Sequence, residues 1–242
     1  DVELLDLVKL FSPLHRTIHA DGYATLVEKA PEIWGLLFSK TDDPKVVAKL
    51  NKLGRAFTPT SGLKLTKHIK RAKPDVVICT HYGPIAILDR MLEHERSPRS
   101  RRREEAESPD KTDAASASSP RRLPFVASVV TDFEAHAMWM GESVSLYCVA
   151  AKATCARLEA RGAKSGSLAV TGIPIGNKFS QPVNAGDVRA RLGLRDDQPV
   201  VLLLGGGFGW GPISETLAEL DKVDARFQTI VVCGRNAELR RE

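Results

Sequence analysis

The stretch that most restricts the fold is Pro199–Leu204 (PVVLLL) followed by GGGFGWGP at Gly205–Pro212. A run of branched apolar residues this short, halted by glycine, reads as a strand buried on both faces of a parallel sheet. Pro212 then suits the first turn of a helix in which Ile213, Leu217 and Leu220 recur at helical spacing, with Glu215 and Glu219 between them. A strand–glycine turn–helix unit exposes several backbone N–H groups at the positive end of the helix dipole. No Cβ blocks the approach of phosphate oxygens to them. The stretch is therefore the candidate diphosphate cradle. The plain alternative is a glycine turn that only lets strand and helix lie close together.

The spacing narrows the ligand. The glycines do not follow G-x-G-x-x-G, and no Gly-Lys-Ser/Thr follows as in a P-loop. The next strand, Gln228–Cys233, ends in Gly234-Arg235-Asn236, with no acidic residue where an NAD enzyme holds its ribose hydroxyls.

Upstream, strand-like and helix-like segments alternate, which indicates parallel α/β architecture in both halves. Residues 1–11 place Leu4, Leu5, Val8 and Phe11 on one face of an amphipathic helix. Gly22–Phe38 is rich in large apolar groups and is divided at Pro31. It reads either as core or as a lipid-facing patch with Trp34 at its margin. Leu63–Arg71 reads as a helix with Lys64, Lys67, Lys70 and Arg71 on a basic face. Strands are expected at Val76–Thr80, Pro124–Asp132, Ser145–Ala150 and Ser167–Thr171, with a helix over Lys152–Arg161. The Gly- and Pro-bearing segment Val170–Gly176 suits an interdomain link. The expected division is an N-terminal domain over 1–175 and a partial C-terminal domain over 176–242. Asp187–Leu192 forms a short helix stopped by Gly193.

Ligands of open α/β sheets bind beyond the carboxyl ends of the strands, which puts two groups of residues where chemistry is expected. His81 follows the Val76–Thr80 strand. Asp132, His136 and Trp139 follow the next; a helix beginning near Asp132 would put all three on one face. The plain alternatives are a structural histidine, and an N-cap aspartate beside a packed aromatic. No third ligand stands at metal-like spacing, so no metal is expected.

Between Glu93 and Arg122 the composition turns to Ser, Arg, Glu, Ala and Pro. Eight basic side chains stand against seven acidic ones, and the segment is too polar to bury a core; the alternative for its Arg99–Arg103 cluster, with the neighbouring serines, is docking on acidic lipid or phosphorylation. The segment reads as a disordered insertion. Over the 242 residues the net charge is +5, enough to favour an anionic membrane surface or a nucleotide but not to argue for nucleic acid. No apolar run approaches the ~20 residues of a spanning helix. Cys79, Cys148, Cys155 and Cys233 form no C-x-x-C pair, which fits reduced thiols in a reducing compartment.

Five motifs in order carry a resemblance: DVVICTH at Asp75–His81, VVTDFEAHAMW at Val129–Trp139, VTGIPI at Val170–Ile175, LLLGGGFGWGP at Leu202–Pro212 and VVCGRN at Val231–Asn236. Together they resemble the monogalactosyldiacylglycerol synthase and processive diacylglycerol glucosyltransferase group, relatives of the lipid-linked peptidoglycan glycosyltransferase. The resemblance implies a GT-B fold of two Rossmann-like domains, and an enzyme that moves a hexose from UDP-glucose or UDP-galactose to 1,2-diacylglycerol with inversion. It implies a peripheral membrane protein on the cytoplasmic side, with the UDP-sugar as co-substrate and no cofactor. Gly206, Gly207, Phe208 and Gly209 match the donor-phosphate loop, and Gly234, Arg235 and Asn236 a second donor-side loop. Asp132 and His136 match catalytic positions, while His81 and Trp139 lie on the acceptor side.

Family members open with a strand and a glycine loop whose histidine the resemblance makes the catalytic base, and they continue to a glycine-rich acidic segment. This chain has neither, so the second domain is expected to be incomplete and the 242-residue chain itself to lack turnover. The alternatives are a GT-B enzyme with another lipid acceptor, such as a peptidoglycan precursor or a sterol, and a nucleotide-binding module without activity. The sugar stays open between glucose and galactose.

Overall fold

The computed structural model describes residues 2–10, 26, 30–47, 49–50, 59–96 and 124–241. The chain divides into two compact units, Asp1–Pro174 and Ile175–Glu242. Both are α/β units with parallel sheets.

The first unit holds helices α1 (Leu7–Leu10), α2 (Pro31–Thr41), α3 (Pro59–Ala72), α4 (Gly83–Arg96) and α5 (Lys152–Ala160). Its strands are β1 (Val76–Cys79), β2 (Phe125–Val129), β3 (Leu146–Val149) and β4 (Leu168–Val170), hydrogen-bonded in the order β1-β2-β3-β4. All neighbours are parallel, with Ile78 beside Ala127, Ser128 beside Tyr147 and Cys148 beside Ala169. Right-handed crossovers that step in one direction place their connections on one face of the sheet. The buried cluster lies there: Leu65 and Ile69 from α3, Ile85, Leu88 and Met91 from α4, and Leu158 from α5 meet Cys79, Val126, Tyr147 and Val149.

Side chains alternate along a strand, so the other face carries Val76, Ile78 and Phe125, which are 51%, 65% and 45% exposed. Only one face of β1 is therefore covered. At the amino end, the helix expected over residues 1–11 shrinks to Leu7–Leu10. Leu7 and Leu10 rest on the core while Leu4 points to solvent; Phe11 lies outside the described residues. Pro31 starts α2, as its fixed φ and missing N–H suit, but no residue of α2 is buried. Tyr23 and Val27 lie outside the described residues. Helix α4 runs through Glu93 to Arg96, so its last turn occupies the start of the segment read as an insertion. Residues 97–122 of that segment lie outside the described residues.

In the second unit, β5 (Val200–Leu204) and β6 (Gln228–Val232) pair in parallel, Val200 with Gln228 through Leu204 with Val232. They are accompanied by α6 (Ala185–Leu192) and α7 (Ile213–Leu220). Asn184 caps α6 by accepting from the Gly186 N–H, and Gly193 closes it in the left-handed region (φ 68°). The reading of β5 as buried on both faces is corrected, since Leu202 and Leu204 are 54% and 65% exposed. A sheet of two strands has too little cover to enclose an apolar strand on both sides.

Candidate functional site

Parallel strands bring their carboxyl ends to one edge, so in each unit the loops after the strands lie together. In the first unit, β1 leads into His81 and Tyr82, and β2 into the loop Val130–Trp139. Trp139 is almost wholly buried, and its indole Nε1–H donates to Asp132 Oδ2 at 2.8 Å. The Tyr82 ring meets the indole edge-on, with centroids 6.0 Å apart. His81 lies over Tyr82 at 4.1 Å and 6.4 Å from the Trp139 ring. Its Nδ1 accepts from the Gly83 N–H at 3.0 Å, which puts the proton of the neutral ring on Nε2. His81, Tyr82, Asp132 and Trp139 therefore form one group, with His81 and Asp132 exposed.

His136 is not part of that group. The expected helix from Asp132 does not form. Residues 131–136 are irregular, and only Ala137–Trp139 makes a single 3-10 turn, which His136 caps. The Asp132 carboxylate is engaged by the Trp139 indole instead of by helical N–H groups. The His136 ring turns inward, 3% exposed. Nδ1 accepts from the Met138 N–H at 3.1 Å, while Nε2 faces the Phe38 carbonyl at 3.0 Å and the Thr41 hydroxyl at 3.3 Å. An N–H only donates and a carbonyl only accepts, so these partners assign the proton to Nε2. Both ring nitrogens are thus engaged within the protein.

The partner that sequence reasoning missed is Asp42, just past the end of α2. Its Oδ1 accepts from the Ala137 N–H at 2.8 Å, and its Oδ2 accepts from Arg157 at 2.8 Å and from Arg161. Arg161 also donates to the Ala135 carbonyl. Burial pushes the Asp42 carboxyl up, but the Ala137 N–H, Arg157, Arg161 and His136 together outweigh it and hold the group below the ordinary carboxylate range. The only sequence hint was Arg157 and Arg161 standing four apart on one helical face.

In the second unit the loop after β5 is fastened to the loop after β6 by backbone. Gly205 N–H donates to the Val232 carbonyl at 3.1 Å, Trp210 N–H to Gly205 at 2.9 Å and Arg235 N–H to Gly207 at 3.0 Å. Asn236 Nδ2 donates to the Gly209 carbonyl at 3.3 Å. Three glycines are required by close approach. A Cβ on Gly209 would stand 2.1 Å from the Cys233 carbonyl oxygen, one on Gly234 2.4 Å from that of Gly206, and one on Gly205 2.7 Å from Gly209 Cα. Gly206 and Gly207, in contrast, have open space where a Cβ would be. The N–H groups of Gly206, Gly207, Phe208 and Gly209 donate no hydrogen bond to the described residues. The Phe208 ring stacks on Trp210 at 4.5 Å, and the Arg235 guanidinium lies 5.2 Å over the Phe208 ring. Packing therefore accounts for part of this loop, and its exposed middle is left over. Helix α7 begins after Pro212, which sits at the cap position and not within the first turn.

Parallel sheets with candidate residues on the loops after the strands define an α/β protein of the Rossmann-like class, which carries its ligand sites at that edge. The chain belongs to the monogalactosyldiacylglycerol (MGDG) synthase family, whose pattern matches residues 1–100 and 117–175. It is 33% identical over 113 residues to a processive diacylglycerol beta-glucosyltransferase of Bacillus pumilus, covering 47% of this chain and 30% of that protein. It is 36% identical over 129 residues to a probable monogalactosyldiacylglycerol synthase 2, chloroplastic, of Oryza sativa subsp. indica, covering 49% and 27%. A processive diacylglycerol beta-glucosyltransferase of Staphylococcus aureus is 32% identical over 117 residues, covering 48% and 30%. The matched stretches thus span less than a third of these relatives.

Proposed function

We propose that this chain carries donor-side and acceptor-side loops of a UDP-sugar-dependent glycosyltransferase that moves a hexose to 1,2-diacylglycerol. The observation that carries the reading is the run of N–H groups at Gly206–Gly209 that donate to no described residue, exposed at Gly206–Phe208, in a loop clamped by close approach at Gly205, Gly209 and Gly234. In the reaction the acceptor hydroxyl oxygen bonds to the anomeric carbon while the bond from that carbon to the diphosphate oxygen breaks, inverting configuration. Negative charge grows on the leaving UDP, where preorganised amides stabilise it most. Gly206, Gly207, Phe208 and Gly209 would bind the diphosphate, with Gly234, Arg235 and Asn236 beside them.

On the acceptor side, Asp132 would take the proton of the attacking hydroxyl. Its exposure, and an Oδ1 with no hydrogen bond to a described residue, support that role. Trp139 fixes the carboxylate, and His81 lies beside it. His136, engaged through both nitrogens, would act by holding the loop.

A diacylglycerol acceptor implies work at a membrane surface. No helix among the described residues is long and apolar enough to cross one. Helix α2 offers Ile33, Leu36, Leu37 and Phe38 to solvent, and α3 offers Lys64, Lys67 and Arg71, a combination suited to peripheral contact with anionic lipid. The four free cysteines fit the cytoplasmic side.

The engaged ring of His136 favours one second reading, a nucleotide-binding module without turnover. Radiolabelled UDP-glucose and UDP-galactose offered with diacylglycerol, sterol and a lipid-linked peptidoglycan precursor in mixed micelles separate these readings. Label in the diacylglycerol product bears the first out and overturns the expectation that these 242 residues lack turnover; UDP binding without transfer to any acceptor, by this chain and by one extended with the family's histidine loop and acidic segment, bears out the second.

A further inference from the structure

Three elements distant in sequence converge on one carboxylate. Asp42 follows α2, Arg157 comes from α5 and Arg161 from its C-cap, and Ala137 lies in the loop after β2, 95 residues from Asp42. We infer that Asp42 is a positioning residue: it locks the Ala135–Ala137 segment between α2 and α5 so that the Trp139 indole keeps its hydrogen bond to Asp132. The inference rests on the reading of that loop as the acceptor side.

Ala135, His136 and Ala137 are 0%, 3% and 0% exposed, and this tripeptide is held from outside the loop at several polar points. Arg161 takes the Ala135 carbonyl, the Phe38 carbonyl takes His136 Nε2–H, and Asp42 takes the Ala137 N–H. Two residues further on, the Trp139 N–H closes the 3-10 turn on the His136 carbonyl at 3.0 Å. The turn that sets the indole therefore starts from residues whose place Asp42 fixes.

Charge explains why a single acid suffices. Asp42 faces two guanidinium groups, Arg157 and Arg161, and its Oδ1 lies 3.8 Å from His136 Nε2. Glu134, 3.6 Å from Arg157 and largely exposed, offsets the surplus. Arg157 Nε is buried without a hydrogen-bond partner among the described residues, so that guanidinium stays in place through its hydrogen bond to Asp42 and its ion pair with Glu134. An isosteric amide at position 42 would keep an acceptor for the Ala137 N–H but lose the attraction for both arginines.

The test is hydrogen exchange by NMR on the whole chain without ligand, following the Trp139 indole N–H (assigned by loss in W139F) and the core amides of Val149 and Leu158. In Asp42→Asn the indole should exchange about tenfold faster, the loss expected for one charge-assisted contact, while the core amides keep their protection. Arg157→Gln, which removes one arm only, should move the indole in the same direction by less. Asp197→Asn, in an exposed ion pair of the second unit, should move neither. An indole that stays protected in Asp42→Asn overturns the inference. So does equal loosening of indole and core, which would make Asp42 a general folding contact. Should Asp42→Asn not fold, an unmoved indole in Arg157→Gln overturns it. Adding diacylglycerol micelles to the wild-type chain tests the acceptor reading separately: an indole indifferent to the lipid sinks that reading and leaves the exchange result standing.

Discussion

The two units hold equivalent loops in opposite ways. In the first, the loop after β2 is fixed from far along the chain by the side chains of Asp42, Arg157 and Arg161 and by the Phe38 carbonyl, and what it presents is a carboxylate beside aromatic rings. In the second, the loop after β5 is fixed by backbone running against backbone at Gly205, Gly209 and Gly234, and what it presents is N–H groups. A loop anchored by charged side chains can place one titratable group accurately, which suits moving a proton from a hydroxyl. A loop anchored by glycines leaves its amides bare, which suits the spread charge of a diphosphate.

The sharpest way to break this comparison lies among the glycines. Gly209→Ala adds a methyl where the Cys233 carbonyl stands at 2.1 Å, at a φ of 67° that disfavours any side chain. It should cost about 2–4 kcal/mol in the second unit, read as a lower Tm. Gly207→Ala meets open space and carries no such φ, and should stay within about 1 kcal/mol while weakening UDP binding. Equal losses of stability in both variants would erase the distinction between clamping and presenting glycines.

Acid should separate the two loops next. The Asp42 carboxyl lies below its ordinary value of 3.8 in the folded chain. Its contribution is therefore complete above that value and is lost as pH falls through the lower folded pKa. On acidification below about pH 4 the Ala137 amide and the Trp139 indole should lose protection before the Gly205 and Trp210 amides, whose partners are carbonyls. Simultaneous loss would mean that Asp42 does not hold its loop independently. The smallest effect concerns the first unit's core. Burial pushes the Cys79 thiol up to about 11, so iodoacetamide at pH 8 should label Cys148, Cys155 and Cys233 well before Cys79. Early labelling of Cys79 would contradict the packing described for β1.

Much of the second unit was legible because glycine and proline speak locally. Gly205–Pro212 marks its turn, and Gly193 stops its helix, whatever the rest of the chain does. Two readings failed for nonlocal reasons. Apolar residues alone do not say how many strands a sheet will have, so Leu202 and Leu204 were expected inside and lie half open. The spacing of Asp132, His136 and Trp139 fits a helix, but the indole and Asp42 take the groups that a helix would have used. Asp42 itself carried no motif, since its meaning comes from residues far away in sequence.

The central claim is that the bare amides of Gly206–Phe208 receive a nucleotide diphosphate. Titrating the 15N-labelled chain with UDP, and with uridine as control, tests it directly. The account predicts saturable shifts of the Gly206, Gly207 and Phe208 amides, together with Gly234–Asn236, for UDP but not for uridine. Amides in these two loops that stay in place at millimolar UDP, or shifts confined to other parts of the chain, would contradict it.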